Sequence, residues 1–272
     1  MSNIYDFVVI GAGISASTFV ASLNTRFPDA SILLIEQGRR VGGRSTTRKS
    51  RKNIILEFDH GLPSISLSHN ISEDLSNLIS PLLKSKKLID ISNDILFINE
   101  FGKIYNEFTD YKIYRGFPFM INFCEEIIAQ SVSSKSINFL FNTVTKSIKR
   151  LNFTWELKTN HNETIKCKNL ILSSSLIAHP RCLQVLNINS LPLRDAFIEG
   201  EDEIVDTILM EVKKQEYLKR KNYIMHVSNS QIVQNFNLKY LQICFEKVIS
   251  QKFFFERIIF QSQIDGSMII VL

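Results

Sequence analysis

A glycine-rich segment near the beginning of the chain carries the residue types that bind a pyrophosphate. Gly11-Ala12-Gly13 follows the apolar residues 7–10 and precedes Ile14, Ser15 and Ala16. The first glycine allows the dihedral angles of a tight turn, and the second lets the backbone approach phosphate closely. The amides of Ile14 and Ser15 would lie at the start of a helix, whose dipole favours anions. The segment therefore predicts a dinucleotide-binding turn.

An acidic residue stands where such sites bind ribose. The mainly apolar residues 31–35 predict a second strand, and Glu36 follows it directly. A carboxylate about 20 residues after the glycines accepts hydrogen bonds from the ribose hydroxyls. Gln37 is included as its neighbour in the predicted site. Because a carboxylate repels a 2′-phosphate, Glu36 argues against an NADP-type adenosine end.

A second glycine segment, Arg40-Val41-Gly42-Gly43-Arg44, follows at once. Two glycines expose backbone amides, and an arginine offers a forked donor to phosphate oxygens. The segment resembles the Arg-x-Gly-Gly-Arg motif of flavoproteins of the amine oxidase group. With Ser45-Thr46-Thr47 it is similar to the Gly-Gly-Arg-x-Thr-Thr motif of the renalase-like NAD(P)/FAD-dependent oxidoreductases. The resemblance implies FAD as the cofactor, with Gly42, Gly43 and Arg44 in its site.

Three later positions extend this resemblance. Asp59-His60-Gly61 fits the family's Asp-x-Gly loop, which lies beside the flavin, and so implies Gly61 and Leu62 as cofactor contacts. Leu62-Pro63-Ser64 replaces the family's Ala-Gln-aromatic, and leucine has no side-chain amide. Residues 114–120 resemble the Gly-x-Pro-x-Met segment that opens a helix over the flavin. The resemblance further implies that the backbone amide and carbonyl of Val144 hold the adenine.

The end of the chain departs from that family. Residues 265–272 do not resemble the family's continuation, which runs through an aromatic-rich strand and a Gly-Asp segment to a helix facing the flavin pyrophosphate. The sequence thus predicts a family member that is shortened at its C-terminus. A non-catalytic or decayed flavin- or dinucleotide-binding protein therefore stays open as an alternative.

The resemblance implies an FAD-dependent oxidoreductase that oxidises an amine or a reduced-nicotinamide-like small molecule by hydride transfer to flavin. The cofactor carries this chemistry and the protein orients it, so no catalytic residue is assigned. His60 is a candidate base, but a variable position between motif residues is more often structural. An NAD-only dehydrogenase is a second alternative, although a simple NAD site needs no second phosphate-binding motif. The chain has no Gly-x-Ser-x-Gly segment, which argues against a hydrolase.

Composition narrows the remaining classes. The 272 residues are 44% hydrophobic, enough for one or two domains with a sizeable core. The chain has no leader and no apolar run of about 18 residues, so we expect neither secretion nor a membrane partner. Four scattered cysteines predict reduced thiols in a cytoplasmic protein and no metal site. The basic run at 39–52 lacks interleaved aromatic residues, so we expect a small-molecule substrate and no nucleic acid. The oligomeric state is left open.

The order of elements predicts an α/β fold: a Rossmann-type FAD-binding domain with an inserted α+β substrate (cap) domain. We assign residues 1–65 and 139–178 to the FAD-binding domain, and 66–138 and 179–272 to the substrate domain. Outside the opening βαβ unit, helices are predicted from Ser72, after Pro118, over 204–221 and over 240–248. Strands are predicted near 95–99, 103–105, 137–141, 144–149, 153–158, 164–168, 170–172 and 253–261.

Overall fold

The computed structural model describes residues 4–50, 56–105, 110–131, 137–216, 222–228, 240–246, 250, 256–263 and 267–272. The chain divides into two compact units, each made of two segments. Unit 1 comprises Met1–Gly43 and Cys124–Leu218, and unit 2 comprises Arg44–Phe123 and Lys219–Leu272. The boundaries of these compact units differ from those of the functional domains expected from the sequence. The boundaries of the functional domains stay a prediction.

The strands are β1 Ile4–Ile10, β2 Ile32–Ile35, β3 Thr47–Lys49, β4 Glu57–Asp59, β5 Ile65–Ser68, β6 Leu88–Asp90, β7 Ile95–Ile98, β8 Ile104–Tyr105, β9 Tyr111–Gly116, β10 Ile137–Leu140, β11 Thr145–Leu151, β12 Thr154–Thr159, β13 Thr164–Leu172, β14 Ile224–Val227, β15 Tyr240–Phe245, β16 Arg257–Ser262 and β17 Met268–Val271. The helices are α1 Ile14–Arg26, α2 Glu73–Lys84, α3 Met120–Ser131, α4 Arg181–Leu186 and α5 Glu203–Lys214.

Unit 1 is built on a sheet in the order β10-β2-β1-β13-β12-β11. The first four strands are parallel, with Val8 opposite both Leu33 and Leu170, and the last two are antiparallel. The connection through α1 leads from β1 to β2 on one side, whereas β13 joins β1 on the other. Ligands of such sheets bind beyond the carboxyl ends of the strands where the order reverses, which here is the end of β1.

Apolar residues explain why these strands form the centre of unit 1. Val8 and Val9 of β1 are fully buried, and all four residues of β2 are at most 2% exposed. Strands buried on both faces are typical of a parallel sheet covered by helices. Helix α1 can pack closely on the sheet because Ala16, which is fully buried, has a small side chain. It ends at Arg26, and Pro28 prevents its continuation since a residue before proline disfavours helical dihedrals.

Unit 2 contains a sheet in the order β14-β17-β16-β15-β7-β8, the pair β3-β4 and the three strands β5-β9-β6. Its apolar core includes Phe58, Ile95, Ile259 and Ile269. Helix α2 begins as predicted, because the Ser72 hydroxyl accepts a hydrogen bond from Leu75 N at 3.3 Å. Pro81 lies inside this helix, which continues to Lys84.

The predicted helix over Tyr240–Val248 is wrong. Residues Tyr240–Phe245 form strand β15, which pairs antiparallel with β16 and parallel with β7. Leu241, Cys244 and Phe245 imitate helical spacing, but Tyr240 and Gln242 are both at most 6% exposed and therefore follow the two-residue period of a strand. Two flanking strands supply backbone partners that the local pattern cannot reveal.

Most other predicted elements are confirmed where the structure describes them. Strands β7, β8 and β10–β12 lie where expected, and the two predicted strands over 164–172 are one strand, β13. Helix α5 occupies the first part of the predicted 204–221, whose residues 217–221 lie outside the described part, as do residues 253–255 of the predicted last strand. Within the described ranges, none of the helices has the length and hydrophobicity that crossing a membrane requires.

Candidate functional site

The glycine turn, Gly11–Gly13, lies at the carboxyl end of β1 and leads directly into α1. Gly11 has φ +99°, in the region that favours glycine, and its amide donates to Ile35 O at 2.8 Å. Gly13 is the N-cap of α1 and provides no side-chain cap. The amides of Ile14 and Ser15, in the first helical turn, therefore have no acceptor within the helix. Their position at the positive end of the helix dipole suits an anion.

Within the glycine turn, neither packing nor backbone dihedral angles require a glycine at position 13. Its φ is −76°, which any residue adopts. A Cβ added there would meet no atom closer than Gly43 Cα at 3.9 Å, an ordinary contact. By contrast, a Cβ on Gly43, at φ +53°, would lie 3.0 Å from Gly13 Cα. The bare backbone at Gly13 thus leaves room for a ligand to approach the helix amides.

Glu36 is bonded to the glycine turn. Its two carboxylate oxygens accept hydrogen bonds from Ala12 N at 2.8 Å and from Gly38 N at 2.7 Å. These bonds fix the half-buried carboxylate at the end of β2, and each oxygen keeps a further lone pair. The arrangement suits a ribose diol beside the phosphate site. Gln37 is exposed.

The second glycine segment packs directly on the first. Gly42 has φ +117°, and its amide donates to Ala12 O at 2.7 Å. Gly42 and Gly13 also form an isolated parallel bridge. The Arg40 side chain forms an ion pair with Glu125 at 2.6 Å. The structure therefore brings the glycines of both predicted phosphate-binding segments together within unit 1.

Val144 lies near the carboxyl ends of β10 and β2, but its backbone groups are engaged. Val144 N donates to Asn160 Oδ1 at 2.8 Å, and Val144 O accepts from Asn160 N at 2.9 Å. The neighbouring Thr143 N donates to Glu36 O at 3.0 Å. An adenine at this place could use only the second lone pair of the Val144 carbonyl. The expected adenine contact stays a prediction, in that narrower form.

Arg44, Gly61 and Leu62, the other predicted site residues, are brought together in unit 2. Leu62 N donates to Arg44 O at 2.8 Å, and a Cβ on Gly61 would lie 2.0 Å from the same oxygen. The Leu62 amide therefore binds the Arg44 backbone, and the absence of a Cβ at Gly61 allows this close approach. The Arg44 side chain is exposed and pairs with no carboxylate among the residues that the structure describes.

A buried carboxylate joins three sequence motifs in unit 2: Asp59 lies in the Asp-x-Gly loop, Thr47 ends the second glycine segment, and Arg115 and Met120 lie in the segment 114–120. We call this group the Asp59 junction: Thr47, Asp59, Arg115, Met120 and Gln261. Asp59 Oδ1 accepts from Thr47 Oγ1 at 2.6 Å, and Oδ2 accepts from Arg115 Nη2 at 2.6 Å. Both oxygens also accept from Met120 N, the first amide of α3, at 3.0 and 3.1 Å.

The backbone of Asp59 is held as firmly as its carboxylate. Gln261 Oε1 accepts from Asp59 N at 3.0 Å, and Gln261 Nε2 donates to Asp59 O at 3.1 Å. The Arg115 guanidinium lies 4.3 Å from the centre of the Tyr240 ring. Sequence reasoning missed Arg115 and Gln261, although a charged residue inside the strand pattern of 111–116 was a usable signal. Met120, the methionine of the Gly-x-Pro-x-Met segment, is fully buried.

Two titrating side chains border the junction. Burial lowers the pKa of His60, and the nearby Arg48 charge adds to that effect. His60 Nδ1 is buried and has no hydrogen-bond partner within the described part of the chain. Burial also raises the pKa of Tyr240, so its phenol stays protonated and donates to Gln242 Oε1 at 3.2 Å. Neither group supplies a strong base at neutral pH.

Two open clefts lie away from the glycine turn. One of about 480 Å³ is lined by Arg150, Asn152 and Phe197, and one of about 520 Å³ by Arg26, Phe27 and Asn169. The second cleft borders Asp6 and Phe7, towards the opposite end of β1 from the glycines. Size alone therefore does not identify the site. Within the described ranges no cluster of three or more His, Cys, Asp or Glu side chains could hold a metal ion.

Comparison with known proteins agrees with this geometry. Residues 9–82 match the NAD(P)-binding Rossmann-like domain. An uncharacterized protein of Methanocaldococcus jannaschii is 26% identical over 258 residues, covering 85% of this chain and 66% of that protein. The chain thus spans a little less than two thirds of this relative's length.

Solved structures share the fold across the whole chain. A proposed protoporphyrinogen oxidase from Exiguobacterium sp. 255-15 has a TM-score of 0.54 and 11% identity, over 100% of this chain and 77% of that one. The tetracycline destructase Tet(51) has a TM-score of 0.51 and 14% identity, over 99% and 56%. Identities this low establish the fold alone. The matches confirm an α/β protein with a Rossmann-like dinucleotide-binding domain.

Proposed function

We propose that the protein is an FAD-dependent oxidoreductase. The observation that carries this proposal is Gly13, a glycine that packing does not require, beside the first amides of α1, which have no acceptor within the helix. Glu36 lies at the next strand end, bonded to the same turn. Together they form a cradle for a pyrophosphate with a ribose diol beside it.

The residues present fit a dinucleotide. Gly11, Ala12 and Gly13, with the amides of Ile14 and Ser15, would hold the pyrophosphate, and Glu36 with Gln37 would bind the adenosine ribose. The carboxylate of Glu36 would exclude a 2′-phosphate by charge repulsion. The Val144 carbonyl would accept from the adenine.

The second glycine segment favours FAD over NAD. Gly42 and Gly43 pack on the glycine turn and are followed by the exposed guanidinium of Arg44. Such a forked donor suits an additional phosphate contact, which a simple NAD site does not need. A bound flavin would accept a hydride, and we propose an amine or a reduced-nicotinamide-like small molecule as its donor. Gly61 and Leu62 would act through the Arg44 backbone that they hold.

A second candidate, a non-catalytic flavin- or dinucleotide-binding protein, is favoured by a different observation. The Leu62 amide is bonded to Arg44 O, and Pro63, which stands where the family has a glutamine, has no side-chain polar atom. Met120 is buried, and its amide is bonded to Asp59. These residues could support a bound cofactor without taking part in turnover.

The absorbance spectrum of the purified protein tests the proposal. We expect a yellow protein, or a colourless one that becomes yellow when FAD is added and excess cofactor is removed. Its flavin band should bleach with dithionite and, for an oxidoreductase, with a substrate amine or reduced nicotinamide. Bleaching by dithionite alone across a substrate panel would favour the non-catalytic candidate. Failure to retain FAD, with stabilisation by NAD instead, would contradict the proposal.

Location and partners complete the proposal. The described cysteines form no disulfide with one another, and Cys124, Cys167 and Cys182 are buried. Burial raises the pKa of Cys167 to about 12, which keeps this thiol protonated and unreactive. We propose a cytoplasmic protein that acts on a small molecule. Fractionation of cells that express the tagged protein would test this location.

A further inference from the structure

We propose that Thr47 and Asp59 are positioning residues that set the place of Arg44 for cofactor phosphate. This inference rests on the proposed function, because it assumes that Arg44 binds phosphate. It goes further by assigning roles to two residues that would not touch the cofactor themselves. It also accounts for the second threonine of the segment Gly42–Thr47.

Two connections tie the Arg44 segment to the Asp59 strand. At one end, Thr47 is opposite Asp59 in the β3-β4 pair, and its hydroxyl donates to Asp59 Oδ1 at 2.6 Å. At the other end, Arg44 O accepts from Leu62 N at 2.8 Å, and the missing Cβ of Gly61 lets that oxygen approach. The four residues 44–47 are therefore held at both ends by residues 59–62.

The Asp59 strand is itself fixed by buried partners. Asp59 is 1% exposed, and its carboxylate pairs with Arg115, which is 5% exposed. Gln261, 2% exposed, makes two hydrogen bonds with the Asp59 backbone. Displacing Asp59 would leave the Arg115 charge buried and unpaired, which is strongly unfavourable. The strand thus provides a rigid reference for residues 44–47.

Thr47 is the link that can be altered with least damage. Its hydroxyl donates to Asp59 Oδ1 and accepts from Ile121 N at 3.3 Å, so it joins the Arg44 segment to the start of α3 as well. Because the Arg44 side chain is exposed, only its backbone is restrained by these contacts. Loosening Thr47 should therefore reduce the pre-organisation of Arg44 and weaken phosphate binding.

A double-mutant cycle on cofactor affinity tests the inference. We expect Thr47→Val to weaken FAD binding by about tenfold in the wild-type background and by less than about twofold in an Arg44→Ala background. Thr47→Ser, which keeps the hydroxyl, should bind FAD like the wild type. Isothermal titration at a temperature where circular dichroism shows each variant folded gives these dissociation constants. A merely structural Thr47 would give the same loss in both backgrounds.

A second variant reaches Arg44 without altering the buried group. Gly61→Ala places a Cβ 2.0 Å from Arg44 O and must displace that carbonyl, although position 61 is exposed. We expect a similar loss of FAD affinity that also disappears in the Arg44→Ala background. Both variants should reduce the salt dependence of the dissociation constant, since fewer charge contacts with phosphate are made.

The outcomes separate the inference from the proposed function. If the wild type binds no FAD, both are overturned. If the wild type binds FAD but Arg44→Ala does not weaken it, the inference alone fails because Arg44 is not the phosphate contact. If Arg44→Ala weakens binding while Thr47→Val and Gly61→Ala act equally in both backgrounds, the positioning role is contradicted.

Discussion

The glycine turn and the Asp59 junction differ in how far the hydrogen-bonding capacity of their polar groups is satisfied within the chain. At the turn, the first amides of α1 have no acceptor within the helix, and the carboxylate of Glu36 keeps lone pairs to spare. At the junction, Asp59 is 1% exposed, and each carboxylate oxygen accepts two hydrogen bonds. Open polar groups on a rigid edge indicate binding, whereas mutually satisfied buried ones indicate support.

The largest effect that distinguishes the two regions should come from Asp59→Asn. The new amide would direct N–H groups at Arg115 Nη2, Met120 N or Thr47, and it would leave the buried guanidinium without a counter-charge. We expect a loss of about 3–5 kcal/mol in the free energy of unfolding, measured by urea titration.

Asp90→Asn is the matched control for that change. Asp90 pairs with Lys112 at 3.4 Å, and both side chains are about half exposed, so its replacement should cost no more than about 1 kcal/mol. Equal costs at Asp59 and Asp90 would mean that the buried junction contributes no special stability.

Gly43→Ala should give the next largest effect. The added Cβ would lie 3.0 Å from Gly13 Cα at a positive φ, so the packing of the two glycine segments must loosen. We expect a loss of about 1–3 kcal/mol in unfolding free energy and weaker FAD binding.

Gly200→Ala shares the backbone strain of that change without its contact. Gly200 has φ +90°, and a Cβ there would meet nothing within 4 Å. It should therefore lose less stability, about 1 kcal/mol, and keep the wild-type FAD affinity. If FAD affinity fell equally in both variants, the contact between the two glycine segments would be irrelevant to binding.

The smallest effect should be a pH dependence at the border of the junction. Burial holds the pKa of His60 below its usual 6.5 in the folded protein. As the pH falls below 6.5, the unfolded chain binds more protons than the folded one, so the unfolding free energy decreases. Above that pH the contribution is constant.

His60→Gln should remove this decrease, which denaturant titrations at pH 7.5 and pH 5.5 would measure. His69→Gln, at an exposed position, serves as the control and should leave the wild-type dependence in place. An unchanged pH dependence in His60→Gln would contradict the assignment to this side chain.

The same contrast explains how much could be predicted from the sequence. The glycine turn is local: glycines, helix start and Glu36 lie on consecutive elements whose geometry is dictated by neighbouring residues. Its strands and helix were therefore predicted correctly, and Glu36 lies at the end of β2 as expected, while its contact with a ribose stays a prediction. The Asp59 junction collects residues from 47 to 261, and the pairing of Gln261 with the Asp59 backbone leaves no trace in local spacing. Strand β15 was predicted as a helix for the same reason, since its two partner strands are distant in sequence.

Departures from a family pattern were harder to interpret than matches. The replacement of the family's glutamine at the Leu62-Pro63 step was visible, but its consequence was not. The structure shows that the Leu62 amide bonds to Arg44 O, so this loop supports the arginine. Val144 is similar, because Asn160, in the turn between β12 and β13, bonds to both of its backbone groups. Hydrogen bonds within the chain decided both cases.

The central claim is that position 13 is a glycine because a ligand approaches the backbone there. The variant Gly13→Ser tests this claim most directly. Serine is a better N-cap than glycine, and its Cβ would meet nothing closer than 3.9 Å. The account predicts that the thermal unfolding temperature of the cofactor-free protein is unchanged or raised, while titration calorimetry shows FAD binding weakened by at least about a hundredfold. A Gly13→Ser protein that binds FAD as tightly as the wild type would contradict it.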